Sequence, residues 1–218
     1  MNFDLTEEQQ LIQDSVARFV ADHYALDARR KLVEQDPGYS EDHWKTFAEL
    51  GWLSLPFSEE DGGIGGDAID VMVLMEQFGK GLVVEPFLAT VVLGGGVLKR
   101  TLEGERRGAL IGGIVDGSLK FALAHTEPQS RWDLHDVTTS ARKDGDGWVV
   151  NGHKSVVLNA RTADHLIVSA RTGGGQTDPE GISLFLVDPK AEGVEVQAYP
   201  TVDGLRAAEV LLKDVKLG

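Results

Sequence analysis

The stretch IVDGSLKFALA, residues Ile114–Ala124, separates two parts of the sequence that follow different hydrophobic patterns. Before it, apolar residues recur every three or four positions, which is the spacing of helices that bury one face. After Lys120, apolar residues come in short runs or alternate with polar ones, which favours β-strands. An all-helical half followed by an all-β half indicates two domains, predicted as residues 1–118 and 119–218.

The first half predicts a series of amphipathic helices with recognisable ends. Thr6 and Gln9 have the spacing of a capping box, which begins the first helix. Gly79 is placed to end a later helix that Asp67 begins. The predicted helical segments are 6–24, 25–34, 40–51, 67–79, 87–98 and 105–115.

The second half predicts an antiparallel β-barrel or sandwich, so the chain as a whole is of the α+β multidomain class. Many short strands separated by turn residues are typical of such domains. Asp146-Gly147 before Trp148 is a strong signal for a hairpin turn. The predicted strands are 121–124, 137–141, 148–151, 165–170, 182–187, 194–199 and 208–212.

The composition excludes several classes of function. With 35 Asp and Glu against 21 Lys and Arg, the formal net charge is −14, which opposes binding to nucleic acid or to an anionic membrane. The chain has no cysteine, so disulfides, thiolate nucleophiles and cysteine-ligated metals are excluded. The acidic start, Met1–Glu8, is not a signal peptide, and no apolar run is long enough to span a bilayer. A cytoplasmic protein is expected.

Three motifs suggest chemistry but lack the partners that the chemistry requires. The glycine-rich loop 56–66 has neither the lysine nor the serine or threonine of a P-loop. The 6 histidines show no zinc-ligand spacing, so no metal site is predicted. Ser130 has no identifiable base with which to form a hydrolase triad.

The segment Ala124–Pro128 is the most informative one for function. An apolar strand runs into it and Pro128 ends it, so Thr126 is predicted to lie at a strand end. A threonine hydroxyl and the backbone amides beside it can bond a heteroaromatic ring held over a sheet. An ordinary turn is the alternative, and the residues by themselves favour the turn.

Several stretches, in the same order along the chain, resemble the acyl-CoA dehydrogenase family. Thr126-Glu127-Pro128, followed by Asp133, is similar to the signature at the start of the family's β-domain. Other stretches resemble the loop after the family's third helix, its β-hairpin and the strands that close its β-domain: residues 51–63, 146–154 and 203–215. Together these matches span nearly the whole chain.

The resemblance implies an FAD-dependent enzyme that oxidises an acyl-CoA to its trans-2-enoyl-CoA. In the family a carboxylate removes the α-proton while a hydride passes from the β-carbon to the flavin. The electrons then leave through an electron-transferring flavoprotein. The family threonine at the place of Thr126 bonds the pyrimidine edge of the flavin, and the residue before it, here His125, contributes a backbone contact. His125 and Thr126 are therefore the implied cofactor-binding residues.

The resemblance also implies a third domain. The family's catalytic glutamate lies in a carboxy-terminal helical bundle, and this sequence stops at Gly218, where that bundle would follow. No catalytic residue is therefore assigned within this chain. We expect a partial chain rather than a complete short protein, and one that is inactive alone.

Four residues near the implied flavin depart from the family pattern. Arg131 and Trp132 stand where the family has glycine and serine, and Val156 and Leu158 stand where it has tryptophan and threonine. Arg131 can pair with a phosphate, so it is the implied substrate-binding residue. The loss of a stacking surface and of a hydroxyl indicates a flavin site that is altered or empty.

These departures favour a small subunit that works beside a larger acyl-CoA dehydrogenase subunit in a heteromeric enzyme. The implied substrate is a dicarboxyl-CoA such as pimeloyl-CoA. Arg131 or Arg161 would face its terminal carboxylate, with a solvated surface arginine as the alternative. Three other functions stay open: a homo-oligomer that binds its own FAD, a structural subunit with neither flavin nor substrate, and a flavin monooxygenase on the same fold.

Overall fold

The computed structural model describes residues 4–218, which divide into two compact units. The first unit contains the residues up to Phe87 together with Leu98–Ser118, and the second contains Leu88–Val97 together with Leu119–Gly218. The predicted domains, 1–118 and 119–218, differ from these units in the segment Leu88–Val97. As domain limits they stay a prediction.

The helices lie close to the positions that the hydrophobic spacing predicts. They are α1 (Glu7–His23), α2 (Leu26–Glu34), α3 (Glu41–Glu49), α4 (Ala68–Gly81), α5 (Gly95–Thr101) and α6 (Gly104–Val115). Short 3-10 turns occupy Trp52–Ser54 and Glu59–Asp61, and a π-helical segment occupies Leu88–Gly94. Among residues 4–218, no helix has both the length and the apolar character needed to cross a bilayer.

Polar side chains cap the amino termini of several of these helices. The Gln9 backbone N–H donates to Thr6 Oγ1 at 3.2 Å while the Thr6 N–H donates to Gln9 Oε1 at 3.1 Å, which confirms the predicted capping box. Asp67 begins α4 in the same way. The predicted end of α4 at Gly79 is wrong, because the left-handed conformation that ends the helix occurs at Leu82, with φ +53°.

An aromatic cluster forms much of the core of the first unit. The ring of Phe47 lies 5.4 Å from that of Phe19, 5.1 Å from that of Trp52 and 5.0 Å from that of Phe78. These residues belong to α1, α3, the turn after α3 and α4, so their packing joins the helices to one another. Burial of each ring contributes roughly 1.5–3 kcal/mol.

A buried carboxylate connects α1 to the start of α3. Glu85 Oε1 accepts the Ser40 backbone N–H at 3.2 Å and lies 3.1 Å from His43 Nδ1. The Tyr24 hydroxyl, which follows α1, donates to Glu85 Oε2. Burial, together with the charge of Glu85, raises the pKa of Tyr24. A negative charge at the amino terminus of α3 is favourable, because the helix dipole presents positive charge there.

The strands of the second unit form one curled, mixed sheet. They are β1 (Phe121–Ala124), β2 (Ser140–Asp144), β3 (Gly147–Leu158), β4 (His165–Arg171), β5 (Ile182–Val187), β6 (Val194–Pro200) and β7 (Arg206–Leu217). In the described chain the strand order is β1-β4-β2-β3-β7-β6, and β5 also pairs with β4. Its buried side chains are mostly alanine and valine.

Two strand pairs correct the prediction of an antiparallel domain. β1 runs parallel to β4, with Phe121 opposite His165. β2 is also parallel to β4, where Ser140 lies opposite Arg171. The pairs β2–β3, β3–β7, β6–β7 and β4–β5 are antiparallel, as predicted. Parallel neighbours need a long connection, and the β2–β3 hairpin supplies it between β1 and β4. Hydrophobic alternation does not depend on strand direction, so the sequence pattern could not distinguish the two arrangements.

The strand limits differ most from the prediction where the sheet is irregular. β1 and β5 have the predicted limits, whereas β3 and β7 are much longer than predicted. Register shifts between Val150 and Gly152 and between Lys154 and Val157 interrupt the alternation along β3. β2 starts at Ser140 rather than at Val137, because residues just before it bond a buried side chain instead of a strand.

The π-helical segment Leu88–Gly94 packs against β1 of the same unit. The sequence predicts a single helix over 87–98, whereas the π-helical segment here gives way to α5. The Thr90 hydroxyl donates to the Phe121 carbonyl at 3.3 Å and accepts the Phe121 N–H at 3.2 Å. A Cβ on Gly94 would lie 2.6 Å from the Phe121 Cβ, so only glycine allows this approach.

Candidate functional site

The site is built at the carboxyl end of β1, where His125 and Thr126 follow Ala124. Thr126 is half-buried, and its carbonyl accepts the backbone N–H of Ser155 at 2.9 Å. This bond joins the end of β1 to the middle of β3. The predicted strand end at Thr126 is confirmed, and the residue lies beside an irregular part of the sheet rather than in an isolated turn.

His125 and Thr126 also contact each other. Thr126 Oγ1 lies 3.3 Å from His125 Nε2. The other ring nitrogen, His125 Nδ1, is buried and has no hydrogen-bond partner among the described residues. A buried nitrogen without a partner is costly, so its environment favours an additional donor or acceptor.

Glu127, the next residue, is a wholly buried carboxylate. It accepts hydrogen bonds from Lys154 Nζ at 2.6 Å, from the Thr138 N–H at 2.8 Å and from the Thr139 N–H at 3.1 Å. Gln129 Nε2 donates to it at 2.9 Å. Burial alone would raise the pKa of Glu127, but the bonds from Lys154 and these neighbours outweigh it and lower the pKa to about 2.

Lys154 is the partner of this carboxylate on β3. Its side chain is also wholly buried, and Nζ donates to Ser169 Oγ on β4 at 3.0 Å as well as to Glu127. Burial lowers the pKa of Lys154, and the carboxylate of Glu127 opposes that effect. The ion pair thus links three strands through the interior of the unit: the end of β1, the middle of β3 and β4.

A bulge in β3 begins directly after Lys154. Lys154 pairs with Val210 of β7 and Val157 pairs with Ala208, which leaves Ser155 and Val156 opposite a single residue, Glu209. Val156 has φ +53°, a left-handed conformation that is rare for a β-branched residue. Its side chain is 53% exposed, so it projects from the sheet beside the end of β1.

Glu209 organises a polar cluster at the bulge that the sequence gives no means of finding. Its carboxylate accepts the Ser155 hydroxyl at 2.8 Å and the Tyr199 hydroxyl at 3.0 Å, and lies 2.6 Å from His153 Nε2. Burial raises the pKa of Glu209, but these hydrogen bonds outweigh it and lower the pKa. Burial and Glu209 raise the pKa of Tyr199. The residues of this cluster lie on three different strands, so no short sequence motif contains them.

Arg131, the predicted substrate-binding residue, lies on the loop between β1 and β2. It is exposed, with φ +48°, and the neighbouring Trp132 is 97% exposed. Two hydrogen bonds hold this loop in place. Arg171 Nη2 donates to the His135 carbonyl at 2.7 Å, and the Val137 N–H donates to the Gln176 carbonyl at 3.1 Å. His125 and Thr126 are brought together at the strand end. The roles of all three residues stay predictions.

Two family models match the chain. Residues 6–115 match the model described as acyl-CoA dehydrogenase, N-terminal domain, and residues 122–215 match the one described as acyl-CoA dehydrogenase, middle domain. The chain is 32% identical to the probable acyl-CoA dehydrogenase YngJ of Bacillus subtilis (strain 168), over 100% of this chain and 58% of that protein. The chain thus spans little more than half the length of this relative.

Solved structures of the same fold agree with these matches. The Tcur3481-Tcur3483 steroid ACAD G363A variant is 28% identical, with a TM-score of 0.84 over 97% of this chain and 56% of that one. The FAD complex of PigA is 26% identical, with a TM-score of 0.87 over 100% of this chain and 58% of that one. The helical unit, the curled sheet and the two matched models confirm the resemblance: the chain belongs to the acyl-CoA dehydrogenase family.

Proposed function

We propose that this chain is part of an FAD-dependent acyl-CoA dehydrogenase that oxidises an acyl-CoA to a trans-2-enoyl-CoA. The observation that carries the proposal is the polar strand end of His125 and Thr126, held beside the β3 bulge within a family-matched β-domain. In the family these two positions meet the flavin. A cytoplasmic location is part of the same proposal.

The polar atoms at the strand end fit one edge of a flavin. His125 Nδ1 is buried without a partner in the described chain, and the Thr126 hydroxyl contacts a ring nitrogen of its own neighbour. The Thr126 hydroxyl has hydrogen-bonding capacity for the pyrimidine edge of a heteroaromatic ring, and the His125 backbone would add the second contact that the family resemblance implies. FAD, when bound, would supply the acceptor for the hydride. The Thr126 hydroxyl would donate a hydrogen bond toward the ring, stabilising negative charge there.

Substrate binding is proposed to involve Arg131, whose guanidinium suits a phosphate of coenzyme A. Its exposure on a braced loop leaves it accessible to such a ligand. A dicarboxyl-CoA such as pimeloyl-CoA is the proposed substrate class. The base that removes the α-proton is assigned to the family's helical bundle, outside the two matched domains. An electron-transferring flavoprotein is the proposed acceptor of the electrons.

We further propose that the chain acts as the small subunit of a heteromeric enzyme, beside a larger acyl-CoA dehydrogenase subunit. Val156 and Leu158 support this role, because the family has a tryptophan and a threonine at these places. Val156 presents an exposed branched aliphatic side chain on the bulge, where an indole would offer a stacking surface. The likeness to a structure named for two components, Tcur3481 and Tcur3483, is consistent with the proposal.

Val156 and Leu158 also favour a second candidate function, a structural subunit that has no flavin of its own and supports the larger partner. It shares the fold and the partner with the first proposal but requires nothing of His125 and Thr126. The two candidates differ in one measurable property, which is whether substitution of Thr126 changes the flavin content of the complex.

The test is the visible absorption spectrum of the full-length protein, purified alone and then with the subunit that copurifies with it from its source. Flavin bands and acyl-CoA oxidation in the complex, both diminished by Thr126→Val, are expected. Stoichiometric flavin and full activity in the protein alone would contradict the small-subunit role. A flavin content that Thr126→Val leaves unchanged would favour the structural subunit, and a colourless complex would overturn the dehydrogenase proposal.

A further inference from the structure

Two oppositely charged side chains, one directly after Thr126 and one directly before Ser155, are removed from solvent. Glu127 and Lys154 each have 0% side-chain exposure, and their charged atoms are 2.6 Å apart. Removing two ions from water is costly, and replacing a buried pair by apolar side chains often leaves stability unchanged or increases it. Stability alone is therefore a poor explanation for the pair, and its geometry points to another role.

At the Glu127 end, the hydrogen bonds fix the backbone that carries Thr126. The Glu127 N–H donates to Ser130 Oγ at 3.0 Å, and the Ser130 hydroxyl donates back to the Glu127 carbonyl at 3.0 Å. The carboxylate itself is held by the N–H groups of Thr138 and Thr139. The peptide between Thr126 and Glu127 is thus held at its N–H by Ser130 and at its carbonyl by Ser155, while the side chain of the same residue, Glu127, is held by the N–H groups before β2.

At the Lys154 end, the ammonium group anchors the start of the bulge. The residue directly after Lys154, Ser155, donates its N–H to the Thr126 carbonyl at 2.9 Å. Val156, the left-handed residue, comes next. Lys154 Nζ is held in turn by Ser169 of β4. A single ion pair therefore connects the residue after Thr126 with the residue before Ser155.

We infer that Glu127 and Lys154 are positioning residues, which set the distance and orientation of Thr126 relative to the bulge at Ser155 and Val156. The flavin part of this inference rests on the proposed function, whereas its structural part concerns the described residues alone. An apolar pair of similar size would fill the same space, but it would not direct the amide and ammonium donors that hold the strand end in register.

The inference is tested with the double variant Glu127→Gln/Lys154→Met, which removes both charges and leaves neither unpaired. Lys154→Met alone leaves the buried carboxylate of Glu127 without its ion-pair partner and is included for comparison. The control is Arg107→Gln, because Arg107 and Asp61 form an ion pair, Nε to Oδ1 at 2.9 Å, between largely buried side chains of the first unit. Urea unfolding of each variant identifies those that remain folded.

Two measurements are made on the variants that remain folded. Hydrogen exchange of the Ser155 amide, in the full chain, reports the bond to Thr126, and the visible flavin spectrum of the complex reports the flavin edge. In the double variant we expect Ser155 exchange to accelerate by at least about tenfold and flavin affinity to fall by about the same factor. Arg107→Gln is expected to change neither readout.

A stable double variant in which Ser155 exchange and the flavin spectrum both match the wild type would overturn the inference. The structural part and the flavin part of the inference are tested separately. If the wild-type complex holds no flavin, the proposed function is wrong, and the exchange rate of Ser155 in the double variant still decides whether the pair positions the strand end.

Discussion

Lys154 Nζ lies 2.6 Å from Glu127 Oε1 although the two residues are 27 positions apart and neither side chain reaches solvent. The pair lies between the end of β1 and the bulge of β3, the two places where the family resemblance assigns flavin contacts. The electrostatics of this pair and the conformation of the bulge beside it lead to specific expectations.

The first expectation concerns pH. The pKa of Glu127 is about 2 in the folded chain against an ordinary value of 4.5. A carboxyl group whose pKa is lowered on folding contributes stability that is fully present above the unfolded pKa and lost as the pH falls through the folded pKa. Between pH 4.5 and about 2, we expect the free energy of unfolding to fall more steeply in the wild type than in Glu127→Gln. Urea titrations across this window measure both slopes, and equal slopes would contradict the assignment.

The second expectation concerns the strained bulge. Val156 has φ +53°, which glycine adopts without the steric cost that a side chain incurs. We expect Val156→Gly to increase the free energy of unfolding by about 1 kcal/mol, because left-handed conformation costs an L-residue roughly 1–2 kcal/mol. The control is Val202→Gly, an exposed valine outside the left-handed region, which should lose stability. Urea unfolding compares the two, and a loss at both positions would argue against strain at the bulge.

The third expectation concerns the departures from the family pattern. If Val156 and Leu158 are what weakens the flavin site, the double variant Val156→Trp/Leu158→Thr should restore a stacking surface and a hydroxyl. We expect it to bind FAD at least about tenfold more tightly than the wild type, measured by flavin absorbance after gel filtration. Val202→Trp adds an exposed indole elsewhere in the same unit and serves as the control. Unchanged affinity in the double variant would mean that other residues limit flavin binding.

The fourth expectation concerns the π-helical segment. A Cβ at Gly94 would lie 2.6 Å from the Phe121 Cβ, so Gly94→Ala must move the segment or the strand and should cost about 1–3 kcal/mol. Gly108, inside α6, has open space where its Cβ would be, and Gly108→Ala should stabilise the chain by up to about 1 kcal/mol. Thermal unfolding of the two alanine variants should shift in opposite directions. A stable Gly94→Ala would show that the contact with Phe121 is not limiting.

Local features of the fold were predictable because their signals lie within a few residues of one another. The capping box of Thr6 and Gln9 and the limits of β1 and β5 were predicted correctly, since capping and strand alternation act over one or two turns of chain. The motif at Thr126-Glu127-Pro128 likewise indicated the family, which the matched models confirm. The helix end at Gly79 was predicted wrongly, because the left-handed stop occurs three residues later at Leu82.

The sequence by itself thus determined the order of helices and strands, the helical-then-β organisation and the family. Only the tertiary structure decided that β1 runs parallel to β4, that the bulge leaves Val156 exposed, and that Lys154 reaches Glu127. The physical reason is that hydrophobic periodicity and helix capping depend on residues that are close together in the sequence. Strand direction, register shifts and the pairing of buried charges depend instead on segments that meet only when the sheet has formed.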